Sequence, residues 1–138
     1  MLRLLSSSEM VLSLPDEPAI WVTGELEYRS DRPYEVCLDI CFLERTYSTW
    51  RFSRDLLFEG IKRSTGTGDV RVSPGCGRYR APGREIDIEL HGAHGKQCLL
   101  TANATVLRMW CEQVLNCVPQ GTEEEHLDIG KEIAALMT

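Results

Sequence analysis

Apolar and polar residues alternate over most of the first hundred positions, the pattern of strands buried on one face only. From Ile20 to Arg29, Val22, Gly24, Leu26 and Tyr28 share one face, and Thr23, Glu25, Glu27 and Arg29 share the other. After the turn Ser30-Asp31-Arg32-Pro33, Tyr34 to Leu43 predicts a second strand with Val36, Leu38, Ile40 and Phe42 inward and Glu35 and Asp39 outward. Glu44-Arg45-Thr46 is read as a turn and Tyr47 to Phe52 as a third strand. The cleanest alternation runs from Arg84 to Leu90, where Ile86, Ile88 and Leu90 predict a core face and Glu85, Asp87 and Glu89 a solvated one. Shorter strands are predicted over Asp69–Val72 and Lys96–Ala102, and residues 1–18 supply a strand that ends in the turn Leu14-Pro15-Asp16-Glu17-Pro18.

Two segments switch to helical spacing. Ser53 is placed to cap a short helix, with Asp55 in the first turn, Leu56, Leu57 and Ile61 as the apolar face and Gly60 as its stop. Asn103 caps a longer helix to about Asn116, whose stripe Val106, Leu107, Met109, Trp110 and Val114 is read as core. A last helix is expected from about Asp128 to Met137, with Ile129, Ile133, Leu136 and Met137 on one side. Thr122 with Glu125 also fits a capping box for its start. Strands, short helix, strands and C-terminal helices together predict an α+β fold with a mostly antiparallel sheet.

Composition sharpens this picture. The 138 residues suit one domain, 1–138, and 43% hydrophobic with 26% charged residues is ordinary for a globular chain. A net charge of −6 disfavours a protein whose main work is gripping nucleic acid or an anionic membrane. No signal-peptide or membrane-span run is read, so a cytoplasmic protein with six reduced cysteines is expected. Cys37 and Cys41 share a strand face roughly 13 Å apart, beyond disulfide reach. Cys111 and Cys117 fall on different helix faces, Cys76 sits in a Pro-Gly-Cys-Gly turn, and Cys98 is assigned to a strand.

No catalytic constellation is found. His91, His94 and Cys98 lie close in sequence, but zinc spacing is missing and His91-Gly92-Ala93-His94-Gly95 reads as a hairpin turn. His126 has no triad context, and Gly-x-Ser-x-Gly is absent. Thr65-Gly66-Thr67-Gly68 lacks the phosphate-loop spacing and precedes a strand, so a tight turn is the better reading. Glu85, Asp87 and Glu89 read as a solvated row, not a catalytic pair. No enzyme, cofactor or metal is therefore expected. Lys62, Arg63, Arg71, Arg78, Arg80 and Arg84 form a basic segment containing one acid, Asp69. A solvated surface is preferred for it, with a single-stranded nucleic-acid patch as the alternative.

One stretch is more specific. Phe52-Ser53-Arg54-Asp55-Leu56-Leu57-Phe58-Glu59-Gly60-Ile61, then Thr65-Gly66-Thr67-Gly68-Asp69-Val70-Arg71-Val72 and Pro74, resembles the signature of the SsgA-like proteins, small actinobacterial proteins of sporulation and cell division. The family pattern is close to Phe-Ala-Arg-Asp-Leu-Leu-x-Glu-Gly-Leu, then Pro-x-Gly-Thr-Gly-Asp-Val-Arg. Ser53 replaces the usual Ala, Ser64 stands where Pro is common, and Phe58 and the cysteine count are unusual. Asp31-Arg32-Pro33-Tyr34 and Pro119-Gln120-Gly121-Thr122-Glu123 are weaker echoes.

The resemblance implies a non-enzymatic protein at division septa that helps position them by recruiting FtsZ, the tubulin-like division protein, or related proteins. Other family members and membrane-associated proteins are further implied partners. It also implies a fold similar to the Whirly single-stranded-nucleic-acid-binding fold, assembled as a homotrimer. For the signature itself, Leu56 and Leu57 are expected to be buried, and Gly66 and Gly68 to hold angles a side chain opposes. Arg54, Asp55, Asp69 and Arg71 either pair with one another or face a partner, with a structural role preferred for most of them.

Overall fold

The first long alternating segment pairs with the second over ten consecutive residues, from Arg3 opposite Arg29 to Leu12 opposite Ile20. The computed structural model describes residues 1–66 and 68–127. Its strands are β1 (Arg3–Ser13), β2 (Ile20–Arg29), β3 (Glu35–Phe42), β4 (Arg45–Ser53), β5 (Val70–Pro74), β6 (Glu85–His91) and β7 (Gln97–Asn103). They form one seven-stranded sheet in the order β4-β3-β2-β1-β7-β6-β5, and every pairing is antiparallel. β1 joins the two halves. It runs beside β2 for nearly its whole length but beside β7 only over Val11–Ser13. Consecutive residues of a strand point to opposite faces, yet Met10 and Val11 are both buried, so β1 is enclosed on both sides where the halves meet.

Helix α1 (Arg54–Gly60) packs on β4 and β5, and α2 (Ala104–Cys117) packs on β1, β6 and β7. Both start where the sequence places them. The Ser53 side chain accepts from the Asp55 and Leu56 amides, and Asn103 accepts from those of Thr105 and Val106. Each satisfies donors that no helical carbonyl reaches. The inner faces of the two half-sheets, Tyr28, Val36 and Leu38 with Ile86, Ile88 and Leu100, close around Leu57 and Leu107 in one core.

Several details differ from the sequence reading. On α2 the buried arc is Ala104, Leu107, Trp110, Cys111 and Val114, while Val106 and Met109 are exposed. They lie roughly 100° and 160° around the helix from Leu107, outside the arc the sheet covers. Phe42 is partly exposed, and the expected turn at 44–46 is instead the two-residue loop Leu43-Glu44, because Phe42 pairs directly with Arg45. An extra residue, Tyr47, bulges between the pairs Ile40–Ser48 and Cys41–Thr46. Glu85 is buried, not solvated. Leu57 is fully buried but Leu56 only half so. The Thr122 side chain caps nothing, and a 3-10 turn, Glu123–His126, follows it. His91-Gly92-Ala93-His94-Gly95 does form the β6–β7 hairpin tip. All six cysteines are free, and burial pushes the Cys111 thiol up to about 12. Thr67 and the helix expected over 128–137 lie outside the described residues.

Candidate functional site

The signature builds a polar knot inside the fold. Arg54, the first residue of α1, is 1% exposed. Its guanidinium lies between the rings of Tyr28 and Phe58, 5.7 and 5.4 Å from their centroids. Nη1 donates to the Val118 carbonyl at 2.7 Å, just past the end of α2, and Nη2 donates to Glu123 Oε1 at 2.6 Å. The other Glu123 oxygen accepts from the Gly121 amide at 2.9 Å. Tyr28 donates its hydroxyl to the Pro33 carbonyl, and the Arg54 amide donates to the Tyr34 carbonyl. Arg54, through its amide and its guanidinium, and Tyr28 thus tie together β2, the β2–β3 turn, α1 and the chain after α2.

Such a buried charge is tolerable only with its partners in place, since a buried charge left unpaired is strongly destabilising. The Glu123 backbone hydrogen bond, then the Arg54 contact, hold the Glu123 carboxyl below its ordinary value, whereas burial raises the Tyr28 hydroxyl. Glu123 falls in the weaker echo at 119–123. Nothing local in the sequence shows that it meets a residue sixty-nine positions earlier.

The four signature residues read as a set do not come together. Arg54 turns inward, which removes it from any partner-facing surface, whereas Asp55, Asp69 and Arg71 are exposed. No ion pair joins any two of them among the described residues. Arg71 lies on β5 directly opposite Glu89. The expected glycine roles hold: Gly66 and Gly68 have φ of +117° and +110°. A Cβ on Gly66 would also sit 2.5 Å from the Val70 carbonyl oxygen and 2.9 Å from a Leu56 methyl, while at Gly68 it meets open space. The turn after α1 can close onto β5 only with glycine at position 66.

The basic segment is partly neutralised within the fold. Arg63 pairs with Glu59 and Arg80 with Glu85, while Lys62, Arg78 and Arg84 are exposed. The buried Glu85 also accepts from the Tyr79 amide at 3.2 Å, and the Gly75 amide donates to the Glu85 carbonyl. This carboxylate pins the 75–84 connection onto the outer face of β6. Beside it, Asp87 accepts from Thr101, and burial pushes its carboxyl up. Of this row, Glu85 therefore anchors a loop, whereas Glu89 stays half exposed beside His91.

The opposite end of the sheet carries a group the sequence reading missed. At the β3–β4 tip, Leu43 and Glu44 have φ of 52° and 64°. Two positive φ values in a two-residue loop make a type I′ turn, which normally uses Asn-Gly. For a leucine and a glutamate that conformation costs roughly 1–2 kcal/mol per residue. Leu43 is 76% exposed, Tyr47 and Trp21 are exposed too, and the Phe42 and Tyr47 rings pack at a tilt, their centroids 6.3 Å apart. The legible signal was a Leu-Glu pair between two strands where turn-forming residues belong.

Comparison with known proteins gives these features a context. A family model described as Streptomyces sporulation and cell division protein, SsgA, matches residues 22–123. The chain is 36% identical over 137 residues to the sporulation-specific cell division protein SsgB of Streptomyces coelicolor, covering 99% of this chain and 90% of that protein. To the SsgB of Thermobifida fusca it is 32% identical, covering 89% and 86%. Two solved structures share the fold. One, described as "Mutations in SsgB correlate to longitudinal cell division during sporulation of Streptomyces coelicolor", superposes with a TM-score of 0.79 at 34% identity, covering 91% of this chain and 96% of that one. The other, an SsgA-like sporulation-specific cell division protein from Thermobifida fusca, gives 0.83 at 29% identity, covering 97% and 95%. The match spans the signature, the Arg54 knot and Glu123, and the chain belongs to the SsgA family of sporulation and cell-division proteins.

Proposed function

We propose that this chain is a non-enzymatic adaptor of cell division that helps position septa by binding FtsZ or a related division protein at the septum. The observation that carries the reading is the likeness to sporulation-specific cell division proteins over nearly the full length of both partners. The signature residues support it in a second way. Arg54, Leu57 and Gly66 are used up in holding the fold, and the comparisons above name cell-division proteins, not enzymes.

The adaptor works as a homotrimer of Whirly-like subunits, alone or with other SsgA-like proteins. Light scattering on the purified chain tests the assembly, with three chains per particle expected and a monomer at all concentrations contradicting it. Co-sedimentation with purified, GTP-assembled FtsZ tests the partner. Saturable enrichment in the polymer pellet is expected, and none above a bovine albumin control contradicts it.

A further inference from the structure

We propose that the end of the sheet around the β3–β4 tip is a docking surface for an arginine or lysine carried on an apolar segment of a protein partner. The inference rests on the adaptor reading for the existence of such a partner, and on the surface itself for the partner's chemistry. A cleft of about 100 Å³, lined by Glu9, Trp21, Thr23, Cys41, Phe42 and Leu43, opens beside the tip. That is the space of about three waters, and so of one long side chain.

The cleft is assembled by register. Glu9 lies opposite Thr23 on the β1–β2 pair, and Thr23 lies opposite Cys41 on the β2–β3 pair. Outward-facing residues of three strands therefore form one row, with Trp21 two residues from Thr23 on the same face. Leu43 completes the wall from the turn, held there by a backbone conformation that leucine disfavours. A strained residue that exposes a leucine gains nothing for the fold, which is the pattern of a surface shaped for contact.

Charge selects the occupant. Glu9 and Glu44 are exposed, and among the described residues neither forms an ion pair. The cation next to the tip, Arg45, is the cross-strand partner of Phe42, one position out of step with the face that carries Glu9, Thr23 and Cys41. The Trp21 indole face beside an unpaired carboxylate attracts a guanidinium or ammonium group, while Leu43 offers apolar area to its neighbours. The same two carboxylates oppose an anionic bilayer. A second copy docking here would bring the same two carboxylates to the contact.

Titrating the full-length ¹⁵N-labelled chain with acetyl-Leu-Arg-Leu-amide tests the proposal by NMR, with acetyl-Leu-Glu-Leu-amide as the charge-reversed probe. The arginine probe is expected to shift the Trp21 indole N–H and the Glu9, Thr23 and Leu43 amides saturably, and the glutamate probe to leave them still. Glu9→Gln weakens that binding about threefold to fivefold, the loss of one exposed cation contact. Trp21→Ala removes it; both side chains are exposed, and circular dichroism checks that each variant is folded.

No response, an equal response to both probes, or shifts centred on other residues overturns the proposal. So does a dilution series that moves the same amides without probe, which makes the occupant a second copy. Sedimentation of the chain with phosphatidylserine vesicles that is lost in Leu43→Ser also overturns it, in favour of a membrane. Repeating the FtsZ co-sedimentation with Trp21→Ala separates the two claims. If wild type and variant pellet equally, this surface is wrong and the adaptor reading stands. If wild type does not pellet, the FtsZ reading fails, and the peptide titration alone decides the surface.

Discussion

Two aromatic clusters at different places in the sheet offer the same chemistry in opposite states. In the knot, Tyr28 and Phe58 flank the Arg54 guanidinium and Glu123 pairs with it. At the tip, Trp21 and Glu9 line a cleft, and among the described residues Glu9 forms no ion pair. The knot is closed and draws its parts from across the chain, so it acts as a clasp. The tip is open, and its carboxylates are exposed. Backbone conformation separates them as well. Where the signature needs positive φ it uses Gly66 and Gly68, whereas the tip forces it on Leu43 and Glu44. Glycine there avoids a cost, and leucine there accepts one. The contrast assigns the signature to stability and the tip to contact.

The largest expected effect breaks the knot. Arg54→Ala strands the Val118 carbonyl and leaves a void between two rings, and urea unfolding should show a loss of about 3–5 kcal/mol. A loss under about 1 kcal/mol would mean the knot is not a clasp. Next, Gly66→Ala should destabilise by about 1–3 kcal/mol through its backbone angle, with a further penalty from the Val70 carbonyl. Gly68→Ala should suffer the backbone cost alone, so equal losses at the two sites would refute the packing argument.

The tip should respond with the opposite sign. Leu43→Asn with Glu44→Gly installs the preferred turn and should raise stability by about 1–2 kcal/mol. The smallest effect concerns pH. The Glu123 carboxyl is held below its ordinary value, so its contribution is present above the unfolded-state value and is lost as pH falls through the lowered folded-state value. In Glu123→Gln the acid limb of the stability–pH curve should be shallower than in wild type, and an unchanged limb would show that Glu123 does not carry it.

Much of the fold was legible because local pattern and tertiary burial agree. Val22, Leu26 and Tyr28, or Ile86, Ile88 and Leu90, alternate in the sequence and face the core in the structure. Ser53 and Asn103 cap helices because each needs only the next few amides. What escaped depends on distant chain. Glu85 alternates like a surface residue but is covered by a loop that folds back over it. Met109 lies in an apolar stripe wider than the arc the sheet can cover. Arg54 looked available to a partner because its own partners, Val118 and Glu123, come sixty-four and sixty-nine residues later. The tip was hidden for a different reason. A Leu-Glu turn contradicts turn chemistry, and such conflicts are where sequence reasoning fails at sites kept for something other than stability.

The tip thus gives up stability for contact. The most direct measurement is made on one sample of the Leu43→Asn/Glu44→Gly variant, reading its urea midpoint and its affinity for acetyl-Leu-Arg-Leu-amide against wild type. A higher midpoint together with weaker binding is expected. A variant that binds the probe as well as wild type, or that is less stable, would contradict it.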